Sequence, residues 1–123
     1  MPIHALIITL TLLAGNVPQP AAAAPVWRPL HDDGRVVCEL GPVQRPSSTT
    51  RVAQIRRTFR VPGERAYAVD TLEFDCADGS YRYRAIVIYD RDGMVVNRYH
   101  PTDQPLPVPA ASYLADALKT VCR

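Results

Sequence analysis

The stretch from Ala66 to Tyr99 constrains the fold more than any other part of the chain. Three segments follow one another there, separated by Asp-Gly pairs. Residues 66–76 (AYAVDTLEFDC) read as a long strand with Leu72, Phe74 and Cys76 on one face. Asp78-Gly79 turns the chain, residues 81–89 (YRYRAIVIY) return, Asp92-Gly93 turns it again, and residues 94–99 (MVVNRY) complete a meander. Asp-Gly suits such turns because glycine takes positive φ without a steric penalty and aspartate bonds its own backbone. Antiparallel strands can be joined this tightly, whereas parallel strands need a crossover of a dozen residues or more.

The flanks extend the same pattern. Residues 51–61 (RVAQIRRTFRV) read as a strand with Ala53, Ile55, Phe59 and Val61 on one face, Arg57 being the exception. Gln54, Arg56, Thr58 and Arg60 lie on the other face. Residues 35–40 (RVVCEL) read as a strand after a His31-Asp32-Asp33-Gly34 turn, with Trp27 opening the folded part. Gly41-Pro42 and Pro46-Ser47-Ser48 read as loop. Pro101, Pro105, Pro107 and Pro109 suit an extended crossing segment, because proline cannot donate to a sheet ladder. Leu114, Leu118, Val121 and Cys122 recur at helical spacing, with Ser112 placed to cap the start and Lys119 and Arg123 near the negative end of the helix dipole. The expected fold is α+β: an antiparallel meander of five to six strands with a C-terminal helix packed on one face.

The chain has 123 residues and a formal net charge of +2, enough for one domain and too little charge to suggest nucleic-acid binding. Hydrophobic residues make up 47%, which separates it from disordered sequences. Residues 5–15 (ALIITLTLLAG) are apolar but shorter than the ~20 residues that span a membrane. With the helix breakers Pro18 and Pro20 and the alanines at 21–24, they predict a signal peptide, residues 1–23, cleaved to leave a domain of residues 24–123. The mature chain is then exported to the periplasm or beyond, and it is not inserted in a membrane. Residues 1–37 contain no cysteine, so a lipid anchor is not expected.

Export puts the three cysteines in an oxidising compartment. Cys76 ends a strand and Cys122 ends the helix, each on an apolar face, so a bridge between them would pin helix to sheet. Cys38, inside a strand, reads as a buried core residue; intermolecular pairing and a reactive thiol are the alternatives.

Arginines outnumber lysines thirteen to one. Arg56 and Arg60 share one strand face, and Arg82 and Arg84 share another, which makes a basic stripe if the two strands are neighbours. These four are the candidate ligand-facing residues, for an acidic protein segment or an anionic glycan; a solvated outer face is the alternative. Tyr81 and Tyr83 alternate with Arg82 and Arg84 and therefore face the core. Asp70, Glu73 and Asp75 suggest a carboxylate pair of a hydrolase, but cross-strand pairing with Arg82 or Arg84 is the preferred reading. Asp90-Arg91-Asp92-Gly93 and His31-Asp32-Asp33 read as turns rather than metal sites. No catalytic residue, metal ligand or cofactor motif is assigned, and the oligomeric state is left open.

The run Leu72-Glu73-Phe74-Asp75-Cys76, followed by Tyr81-Arg82-Tyr83-Arg84, a Tyr89-to-Gly93 turn, a proline-rich link and a helix ending Val121-Cys122, resembles the surface-adhesin protein E family. Trp27 near the mature start fits as well, and the resemblance covers roughly residues 26–123. It implies a small antiparallel sheet with a C-terminal helix held by a Cys76–Cys122 disulfide. It also implies a bacterial envelope protein whose characterised relatives bind host matrix or serum proteins. The expected function is a non-enzymatic binding module. The alternatives are a periplasmic accessory protein without host contact and, more remotely, a small hydrolase.

Overall fold

A computed structural model describes residues 25–101 and 104–123; the predicted signal peptide lies outside the described residues. The strands are β1 (Arg28–Asp32), β2 (Val36–Gln44), β3 (Thr50–Phe59), β4 (Tyr67–Asp75), β5 (Ser80–Tyr89), β6 (Val95–Tyr99) and β7 (Leu106–Pro107), and the helix is α1 (Tyr113–Val121). β1 to β6 lie in sequence order in one antiparallel sheet, and β7 adds a short pairing to β5 at Ser80 and Tyr81. The meander is thus present, continued beyond β4 by β3, β2 and β1, and the described residues are mostly sheet with a single helix.

The register sorts the side chains. Leu40 opposes Ile55, Ala53 opposes Leu72, and Phe74 opposes Tyr81, all on one face. Ile55, Leu72 and Phe74 are fully buried there beneath Leu114, Ala117 and Val121 of α1. Complete burial of a side chain of this size contributes roughly 1.5–3 kcal/mol, so this cluster is the main source of stability. α1 starts where expected: the Ser112 hydroxyl accepts from Ala115 N–H at 3.2 Å and donates to the Pro109 carbonyl at 2.7 Å. Its far end is held twice. Cys76 and Cys122 form the disulfide, and the buried Arg51 donates from Nε to the Val121 carbonyl at 3.1 Å. Arg51 Nη1 also reaches the carbonyls of Ser47, Ser48 and Thr50, tying the β2–β3 loop to the helix end.

Three details depart from the sequence reading. His31 and Asp32, expected in a turn, are the last residues of β1, which pairs with β2. Gly41-Pro42 continues β2 across a bulge between Leu40 and Val43 instead of looping out. The Trp27 ring lies on Gly41, where an added Cβ would come within 2.7 Å of it, so the chain stays flat beneath the indole. In addition, β3 ends at Phe59, so Val61 lies beyond the strand and is exposed.

Candidate binding surfaces

The four arginines singled out from the sequence are all held by carboxylates. Arg56 donates from Nη2 and Nε to Glu39 Oε1 at 2.8 and 3.1 Å, with its guanidinium 4.7 Å from the centre of the Trp27 ring. Arg60 pairs with Asp32 at 2.7 Å. Arg82 and Arg84 both pair with Glu73, the latter at 3.1 Å. β4 lies between β3 and β5, so the condition for a continuous stripe is not met. Three carboxylates answer these four guanidiniums.

The preferred pairing across the β4–β5 hairpin is present for Glu73. Asp75 instead accepts from Ala77 and Asp78 N–H groups and shapes the turn. Asp70 points to the helix side and Glu73 to the other, so those two carboxylates do not converge. Asp90 accepts from the Asp92 and Met94 N–H groups, and Asp33 from those of Arg35 and Val36, as turn residues do. His31 Nδ1 lies 3.0 Å from Asp116 Oδ2 and links β1 to α1.

Hydrogen bonding from Arg82, reinforced by Arg84, holds the Glu73 carboxyl below the ordinary glutamate range. A depressed carboxylate stabilises the fold above its ordinary range, and that contribution disappears as pH falls through the folded-state value. Glu73→Gln is therefore expected to cost about 1 kcal/mol at neutral pH, the upper end for a partly exposed pair. Thermal unfolding of wild type and variant should converge on acidification; a gap that persists below the carboxylate range would refute this.

Arg57, the exception in the β3 pattern, opposes Ala68 and reaches diagonally to Asp70, donating from Nε at 2.6 Å and from Nη2 at 3.0 Å. Asp70 is 0% exposed. Burial raises its pKa, and Arg57 opposes that shift without cancelling it. Burial also works against the Arg57 charge, but the bonds to Asp70 more than compensate and raise its pKa. Beside this pair the Tyr83 and Tyr113 hydroxyls meet at 2.7 Å, and burial raises both phenols. Cys38 is buried, as expected, and carries a free thiol.

Beyond the Arg57–Asp70 pair α1 no longer covers the sheet. A groove of about 780 Å³ opens there. Its floor comprises Val36, Phe59, Ile86, Ile88 and Tyr99, contributed by four strands, and the segment 61–65 walls one side. Arg35 and Arg65 also line it, and neither side chain is ion-paired among the described residues. The volume lies in the usual range for ligand sites, roughly 300–1,000 Å³. Sequence reading missed this surface. The alternation of apolar residues on β3 and β5 was visible, but not that a nine-residue helix would leave part of their face bare.

No helix among the described residues is long and apolar enough to cross a membrane. No curated protein and no solved structure matches this sequence. A family model described as surface-adhesin protein E matches residues 27–123, nearly the whole described chain. The disulfide joining the terminal helix to the meander is the arrangement the resemblance implied, and the chain belongs to the surface-adhesin protein E family.

Proposed function

We propose that the protein is an exported, non-enzymatic binding module of the bacterial envelope that takes a host matrix or serum protein, or an anionic ligand, on its sheet. Family membership supports an adhesin-like, exported protein. The observation that carries the assignment to a surface is the groove, where an apolar floor lies beside Arg35 and Arg65, neither of them ion-paired among the described residues. Isolated apolar residues on a surface need no explanation, but a contiguous patch rimmed by charge is typical of interaction sites. Arg56, Arg60, Arg82 and Arg84 remain proposed as secondary contacts, since each must share its donors with a carboxylate.

The test is binding of the oxidised protein to immobilised matrix proteins and to heparin. Arg35→Glu combined with Arg65→Glu is expected to weaken binding about tenfold or more, with a strong dependence on salt, while Arg84→Glu changes it less than about threefold. The reverse order would move the site to the helix-free face. Protease treatment of whole cells addresses display: cleavage without permeabilisation supports surface exposure, and cleavage only after permeabilisation supports the periplasmic accessory role.

A further inference from the structure

The groove sorts its chemistry along its length, and we propose that it binds a single-chain amphiphile with an anionic head group. This rests on the reading of the groove as the binding surface and names the class of ligand. The backbone register places both cations at one end. Arg60 N–H bonds the Arg35 carbonyl at 2.9 Å and Phe59 N–H bonds the Ala66 carbonyl at 2.9 Å, so Arg35 and Arg65 flank the end of β3 from either side. Glu64 is the one carboxylate in the lining, so the lining of the mouth is net positive, with Asp33 just outside it within electrostatic reach of Arg35. From there the apolar floor runs inward through Phe59 and Ile88 to Ile86 and Tyr99, Ile88 opposing Ala68 and Ile86 opposing Tyr99 in the sheet. The inner end is the Arg57–Asp70 pair, whose charges answer each other. Attraction for an anion is therefore concentrated at the mouth, and apolar contact behind it.

The floor also disfavours an extended peptide segment laid along it, as distinct from the surface of a folded partner. An extended segment would bring N–H and C=O groups that need partners once out of water. Among the side chains of the floor itself, Val36, Phe59, Ile86, Ile88 and Tyr99, the one polar group is the Tyr99 hydroxyl, which already accepts from Asn97 Nδ2 at 2.9 Å. An alkyl chain makes no such demand, and its head group needs only the guanidiniums, which suit carboxylate, sulfate and phosphate alike.

The probes are octanoate, decanoate and dodecanoate, titrated below their micelle concentrations into the oxidised protein and followed by calorimetry and amide chemical shifts. Binding is expected to be saturable, to tighten about two- to fourfold per added methylene, and to shift amides of β3, β5 and β6. Decyltrimethylammonium, with the same chain and the opposite charge, should bind at least about tenfold more weakly. Ile88→Asp should abolish decanoate binding. Val61→Asp, at an exposed position on the wall, should weaken it without threatening the fold. Absence of saturable binding, indifference to head-group charge, or unchanged affinity in both variants would overturn the proposal. If the carboxylates fail while the Arg35→Glu, Arg65→Glu protein still loses its matrix ligand, the amphiphile is wrong and the groove stands. If both fail, the groove itself is wrong.

Discussion

Replacing Cys76 and Cys122 by alanine is expected to lower the unfolding free energy by about 4 kcal/mol. The bridge joins residues 46 apart in sequence, and that value is what chain entropy gives for a loop of this size. For a domain of about 100 residues the loss corresponds to a fall of roughly 15–30 °C in melting temperature. Thermal unfolding followed by circular dichroism, with and without reductant and on the double variant, measures it. The first structure lost should be α1, whose remaining anchors at that end are the Arg51 bond and the Val121 side chain. Its departure would bare Leu72 and Phe74, so a hydrophobic dye should report the reduced protein before global unfolding. A drop under about 5 °C would show that apolar packing alone holds the helix.

The second large effect is expected at the Arg57–Asp70 pair. Asp70→Ala removes the carboxylate bonded to Arg57 and strands a guanidinium on the core face. Breaking a buried pair in this way typically costs about 3–5 kcal/mol. Replacing both partners, Arg57→Met with Asp70→Leu, removes the charge along with its counterion and should restore stability to within about 1 kcal/mol of wild type, or exceed it. Urea unfolding of the two single variants and the double variant closes the cycle. Additive losses would show that the two side chains do not stabilise each other, contrary to their geometry.

What could be read from the sequence follows the range of the interactions involved. The hairpins at Asp78-Gly79 and Asp92-Gly93, the facing of Tyr81, and the Glu73–Arg82 contact all depend on pairing between adjacent segments, and local alternation sets that register. The Ser112 cap and the helix depend on spacing within one segment. β1 was not recognised as a strand, because Arg-Pro-Leu-His-Asp carries no alternation and extends only by pairing with β2. The Arg56–Glu39 and Arg60–Asp32 pairs were invisible for a related reason: they require the β1–β2–β3 arrangement, which the sequence between Gly41 and Ser48 disguises as a long loop. Arg57 looked like an error in an apolar face until Asp70, two strand positions beyond its partner Ala68, was found beside it. The groove was the least legible of all, since it is made of what α1 fails to cover.

Cys38 bears on how the chain acquires its covalent link. Three thiols allow three different pairings while the polypeptide is open, two of which would trap the wrong loop. In the folded molecule burial pushes the Cys38 thiol up to about 11, so that at neutral pH only roughly one molecule in ten thousand carries the reactive thiolate. Once β2 and β3 have closed around it, that sulfur no longer competes. Burial of Cys38 in the folded sheet therefore favours the Cys76–Cys122 pairing over the two alternatives, since the competing sulfur is both covered and protonated there.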